Sequence, residues 1–146
     1  MPTPHFLVPI DFSTYAEQAL DYAIRLARTL KARLTVLHVI QPVPMVGVDM
    51  GVALPETYQR ELEEAVQRDM EAALARVTAA GLTAERAVLY GLPYQEIVET
   101  AKARQVDLIV MGTHGHTGLM YVLLGSVAEK VIRLAPCSVL VVRPVA

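Results

Sequence analysis

The chain reads as an α/β protein: an open parallel sheet with helices on both of its faces. Short apolar, β-branched runs alternate with longer stretches whose apolar residues recur at helical spacing. Each strand-like run is nearly continuous in apolar residues, as expected of strands buried on both faces. A length of 146 residues, 53% of them hydrophobic, suits a single domain over 1–146 with a sizeable core and no need of disulfides.

The elements follow in order. His5 to Ile10 is a short apolar run closed by Pro9-Ile10-Asp11. Ala16, Ala19, Leu20, Ala23, Ile24, Ala27 and Leu30 then recur on one helical face. Thr14 with Glu17 fits a capping box at its start, and Ser13 is a rival N-cap. Leu34 to Ile40 predicts a second strand, followed by a Pro-, Gly- and Met-rich connection from Gln41 to Pro55. That connection is longer than most in compact domains, a property of mobile or functional loops. Tyr58, Leu62, Val66, Met70, Ala73 and Val77 mark a long helix from Glu56 to Ala80, with Gly81 in the C′ role. Thr83 to Tyr90 predicts a third strand. Pro93 opens a helix whose stripe is Ile97, Val98 and Ala101. Val106 to Met111 is the fourth strand, Ser126 to Leu134 a short helix and Ser138 to Val142 the fifth strand.

Composition narrows the function. One cysteine, Cys137, permits no intramolecular disulfide and no zinc site on paired cysteines, and fits a reducing cytoplasm. It follows Pro136 at the start of the last strand and reads as a buried, inert thiol in preference to a reactive one. Net charge is −2 and both signs are dispersed, without the basic face of a nucleic-acid binder. The N-terminus lacks the basic and apolar regions of a signal peptide, and no apolar run is long enough for a membrane span.

The densest chemistry lies at the exit of the fourth strand. Met111-Gly112-Thr113-His114-Gly115-His116-Thr117-Gly118 is followed by Gly125-Ser126, so that Gly112, Gly115 and Gly125-Ser126 read G-x2-G-x9-G-[ST]. Glycines let a backbone approach a ligand closely, and a helix N-terminus favours an anion. This is the build of a phosphate site, distinct from both the P-loop and the dinucleotide fingerprint. In an open parallel sheet the ligand crevice lies beyond the carboxyl ends of the strands, where strand order reverses. If the first and fourth strands are neighbours there, the glycine loop faces Asp11 and the site is composite.

These segments closely resemble the universal stress protein family, in its nucleotide-binding branch. The resemblance runs through Leu7-Val8-Pro9-Ile10-Asp11-Phe12-Ser13, Leu37-His38-Val39, the stretch from Val106 to Gly115, Leu124 to Val131 and Ala135 to Val142. It implies a Rossmann-like fold, similar to adenine nucleotide alpha hydrolase-like folds, with a five-stranded sheet in the order 3-2-1-4-5. It also implies a homodimer, and with the glycine motif intact, ATP accompanied by Mg²⁺. Carried over by position, it puts Pro9, Ile10 and Asp11 along the ribose and phosphates and the backbone of Val39 against the adenine. Met111 and Gly112 then lie beside the ribose and α-phosphate, Gly115 gives the triphosphate room, and Gly125, Ser126 and Val127 hold the terminal phosphates. His114 and His116 complete the binding set. His116 stands where the family often carries Arg or Lys, so a fixed charge becomes one that titrates near neutrality, and phosphate affinity is expected to rise as pH falls.

Several residues have a plainer reading. Asp11 serves as a ribose or Mg²⁺ contact, or as an Asx-turn ahead of the first helix. Ser126-Val127-Ala128-Glu129 binds phosphate, or is a capping box that needs no ligand. His114-x-His116 alone cannot close a zinc tetrahedron. His38 fits a hydrogen-bonded core histidine. The fifth strand is expected at a sheet edge, and pairing Ser138 to Val142 with a second copy would cover it. The expected function is a cytoplasmic, nucleotide-dependent stress-response regulator or protective factor, not an efficient enzyme, because no P-loop lysine, arginine finger or acid at the γ end is evident. The alternatives are a slow ATPase or nucleotidyl transferase on the same pocket, and an interaction module with a vestigial site.

Overall fold

The computed structural model describes residues 2–42, 56–115 and 123–144. Five parallel strands, β1 (His5–Pro9), β2 (Arg33–Ile40), β3 (Ala84–Tyr90), β4 (Leu108–Gly112) and β5 (Ser138–Val142), form one sheet in the order β3-β2-β1-β4-β5. The expected order is therefore the observed one. Among the described residues four helices alternate with them: α1 (Thr14–Leu30), α2 (Glu56–Ala79), α3 (Pro93–Ala103) and α4 (Ser126–Leu134). None of the described helices is long and apolar enough to cross a membrane. The stretch 43–55 of the long connection lies outside the described residues.

Side chains alternate across the strands, and the sheet consequently supports two cores. Phe6, Val8, Leu34, Val36 and Val110 face α1 and α2, meeting Leu20, Ile24, Met70 and Val77. Leu7, Leu37, Ile109 and Met111 face α3 and α4, meeting Ile97, Ala101, Ala128 and Val131. Leu7, Leu37 and Ile109 are wholly buried, each such burial stabilising by about 1.5–3 kcal/mol. β5 pairs only with β4 and four of its five residues are half-buried, as expected of an edge.

The helix ends show how the sequence sets these bounds. Gly81, at φ +82°, takes the C′ position after α2; its N–H donates to Thr78 O at 2.9 Å and the Leu82 N–H to Val77 O at 3.2 Å. That is the full Schellman pair. α3 ends in the same turn without glycine: Gln105 has φ +52°, and the Val106 N–H donates to Ala101 O at 2.9 Å. Val106, expected to open the fourth strand, is therefore the apolar residue that closes α3, and β4 begins at Leu108.

At the amino end of β1, the His5 ring is buried. Nδ1 accepts from Arg33 Nη2 at 3.2 Å, and Nε2–H donates to Thr35 Oγ1 at 2.7 Å. Burial foremost, then the Arg33 charge, holds the imidazole below its ordinary pKa. The His5 main-chain N–H donates to Asp107 Oδ2 at 2.7 Å, and the Asp107 N–H returns a bond to His5 O at 2.8 Å. Nearby, Cys137 is half-buried rather than buried as expected, because it leads directly into the edge strand β5; burial and then the Asp107 charge push its thiol up.

Candidate functional site

β1 and β4 are neighbours, and the helices that follow their exits, α1 and α4, pack on opposite faces of the sheet. The crevice between two such exits is where open parallel sheets hold ligands. Pro9 ends β1, Ile10 is buried and Asp11 is half-buried. Asp11 Oδ1 accepts the Ser13 N–H at 3.0 Å, the Asx-turn of the plainer reading. Phe12 between them stands at φ +65°, a conformation costing a non-glycine residue about 1–2 kcal/mol. Ser13 Oγ then accepts the Ala16 N–H at 3.2 Å. Ser13 is the N-cap of α1, and Thr14 is already helical, which corrects the capping-box expectation.

The glycines of the motif first serve close approaches within the protein. A Cβ on Gly112 would lie 2.9 Å from the Tyr15 carbonyl oxygen, so glycine lets the end of β4 seat against the first turn of α1. A Cβ on Gly115 would run into Asp11 Oδ2. The glycine loop and the β1 exit therefore touch, as a composite site requires. The Gly125 N–H donates to Thr113 O at 2.6 Å, and a Cβ there would come within 3.3 Å of His114 Cα. Thr113 is buried, with Oγ1 3.0 Å from His114 Nδ1, and the His114 ring meets Tyr15 at 5.4 Å between centroids. Met111 is buried in the core below. Tyr15 and Thr113 shape this loop without having been singled out, and no spacing in the sequence marks Tyr15, which arrives on α1. His116 lies outside the described residues.

At α4 the structure corrects the reading of Ser126. Gly125 holds the N-cap geometry, φ −68° and ψ 163°, and Ser126 is the first helical residue. The capping box with Glu129 does not form; instead the Glu129 N–H donates to Gly125 O at 3.0 Å. Among the described residues no side chain caps α4, so the first-turn N–H groups of Ser126 and Val127 keep the donor character that suits an anion.

The third wall is β2. Bonds from the Arg33 N–H to Pro4 O and from the Ile10 N–H to Leu37 O, both 2.8 Å, show that odd-numbered residues of β2 turn their peptide groups toward β1. Even-numbered ones face β3, as the Gly91 N–H to Ile40 O bond of 3.0 Å shows. Val39 thus faces the side of β1 beyond the point where β1 ends. His38 is a hydrogen-bonded histidine as expected: its Nδ1–H donates to Ile10 O at 2.7 Å, and its ring lies 4.5 Å from that of Phe12.

Pro9, Ile10, Asp11, Val39, Gly112, His114, Gly115, Gly125, Ser126 and Val127 therefore gather around the carboxyl ends of β1, β2 and β4. The site offers backbone donors, one carboxylate and an imidazole. Among the described residues no group of three or more His, Cys, Asp and Glu converges to hold a metal ion. Elsewhere, in the groove beside Ile40 and Val88, Gln67 Oε1 accepts from Arg86 Nη1 at 3.0 Å and the Tyr90 hydroxyl donates to Glu63.

Comparison with known proteins agrees with this architecture. The model of the universal stress protein family matches residues 3–143. The universal stress protein MJ0531 of Methanocaldococcus jannaschii is 39% identical over 140 residues, covering 94% of this chain and 80% of that protein. The solved structure of MJ0577, from the same organism, superposes with a TM-score of 0.85 at 32% identity, covering 100% of this chain and 99% of that one. A universal stress protein solved in complex with cAMP superposes with a TM-score of 0.71 at 26% identity, covering 97% and 98%.

Proposed function

The chain belongs to the universal stress protein family, and from that premise we propose that it binds an adenine nucleotide, ATP with Mg²⁺, at the carboxyl ends of β1, β2 and β4. The observation that carries this reading is the contact between Gly115 and Asp11 beside the start of α4, which no described side chain caps. It joins a carboxylate, a glycine loop and helix N–H groups in one crevice, the acceptor for a ribose hydroxyl and the donors for phosphates that such a ligand requires. A related structure holding cAMP supports the nucleotide class.

In this reading the first-turn N–H groups of Ser126 and Val127 and the Ser126 hydroxyl take the terminal phosphates. Asp11 keeps one oxygen on Ser13 and turns the other toward Gly115, where it meets a ribose hydroxyl or the metal. A Mg²⁺ ion fits here as a companion of the phosphates, since it commonly takes one or two carboxylates with phosphate oxygens and water. The metal would neutralise phosphate charge. Met111 and Gly112 form the floor, and His114, braced by Thr113 and Tyr15, flanks the phosphates. The protein would act as a cytoplasmic homodimer joined along β5, Ser138–Val142, whose half-buried edge calls for a partner strand. Its role would be nucleotide-dependent regulation or protection under stress.

Nucleotide released from denatured, purified protein and identified by mass spectrometry is expected to be an adenine nucleotide. Thermal shifts with ATP, ADP and AMP should rise with concentration, because a ligand selective for the folded state stabilises it by mass action. An empty extract together with an unmoved Tm would sink this reading.

A further inference from the structure

Had the parallel ladder between β1 and β2 continued by one residue, Ile10 would pair with His38. Its N–H would then donate to Leu37 O and its carbonyl would accept the Val39 N–H. The first of these bonds is present at 2.8 Å. The second is not: strand pairing stops at Pro9 with Leu37, and Ile10 O accepts the His38 Nδ1–H at 2.7 Å. A side chain of β2 has taken the acceptor that the backbone of β2 would ordinarily fill.

We infer that His38 is a positioning residue, which satisfies Ile10 O from the side and so leaves the peptide N–H and C=O of Val39 open to the crevice for the edge of a base. The inference rests on the nucleotide reading above and supplies the means by which β2 recognises the base. Within a strand, the N–H and C=O of one residue point to the same side. Val39 therefore presents a donor and an acceptor together, which adenine matches with its ring N1 acceptor and its exocyclic amino donor.

Two further features hold His38 to this task. A carbonyl oxygen only accepts, so the neutral ring must carry its proton on Nδ1. Phe12, held at φ +65° by the Asp11 turn, lays its ring 4.5 Å from the imidazole at an interplanar angle of 32°, which fixes its orientation. The Asp11 turn and the open peptide of Val39 are in this way linked through the His38 side chain.

The first test uses the full chain without ligand. Nitrogen NMR of the His38 ring is expected to show the Nδ1–H form, and amide exchange at Val39 should run about tenfold or more faster than at its neighbours in β2. In His38→Phe, which keeps a ring against Phe12 but donates nothing, the Val39 N–H should return to Ile10 O and become protected. ATP affinity should then fall about tenfold, a loss of about one hydrogen bond, with tripolyphosphate affinity unchanged. His38→Asn, whose amide donor sits near the place of Nδ1, should restore ATP binding. An Nε2–H ring, a Val39 amide protected in the wild type, or equal loss of ATP and tripolyphosphate binding in His38→Phe would overturn the assignment. Absence of ATP binding by the wild type would instead count against the nucleotide reading, and the tautomer and exchange data would still decide the role of His38.

Discussion

At the amino ends of the strands three helices finish in the same left-handed turn. Lys31 at φ +54°, Gly81 at +82° and Gln105 at +52° each follow a helix, and the next N–H reaches back to Ala27, Val77 or Ala101 at 2.9–3.2 Å. Beneath them the His5 ring uses both nitrogens on Arg33 and Thr35. At the carboxyl ends, α3 and α4 start at Leu92 and Gly125 with no side-chain cap among the described residues, Phe12 adopts a left-handed conformation, and Val39, still paired with β3, lies past the end of the ladder with β1. One end of the sheet closes its polar groups on itself; the other holds donors facing outward. Buried polar groups that meet one another maintain the fold, whereas donors left at a helix start or strand end are what a polar ligand needs. This chain thus gathers its mutually satisfied polar groups at one end of the sheet and its open donors at the other, so stability and the proposed binding should be separable by mutation.

The largest effect is expected from His5→Ala. It leaves Thr35 Oγ1 without its ring partner inside a buried site and opens a cavity, costing about 2–4 kcal/mol in denaturant unfolding, with ATP affinity unchanged in the folded protein. The variant also carries a pH signature. Because burial lowers the folded pKa of His5, its neutral ring stabilises the fold fully above the ordinary value of 6.5, and that contribution is lost as pH falls through the folded pKa. His5→Ala should therefore show a flatter loss of stability on acidification. A comparable loss of ATP binding would break the division between the two ends.

Gly115→Ala probes the opposite end. Its methyl group would displace the Asp11 carboxylate. ATP affinity measured by calorimetry should fall about tenfold, while unfolding free energy changes by less than about 1 kcal/mol, since a side chain rather than backbone must yield. The smallest effects belong to Lys31→Gly and Gln105→Gly. Each removes the cost of a left-handed conformation at the end of a helix and should raise stability by about 0.5–1 kcal/mol, with nucleotide binding untouched. Gly81 already shows the solution that these two turns lack.

Much of this was legible in the chain. The five strands follow from apolar runs and the helices from their periodicity. Gly81 and Pro93 marked a helix end and a helix start because each residue type serves a backbone need that is local. Other features depend on partners distant in sequence. His5 looked like the opening of an apolar strand because the groups that bury it, Arg33 and Thr35, arrive on β2. Ser13 prevailed over Thr14, and Gly125 over Ser126, because the Asp11 turn and the Thr113 contact set where each helix begins. Tyr15 gave no signal, since its meeting with Gly112 needs α1 laid across β4.

The sequence by itself determined the alternation of strand and helix, the family and the loop in which glycine is required, because periodicity and backbone freedom are properties of neighbouring residues. Only the tertiary structure decided that Gly115 meets Asp11, that no described side chain caps α4 and that His38 takes the Ile10 carbonyl. Those contacts join residues far apart in the chain, and strand register, a property of the whole sheet, sets which groups are spent and which stay open.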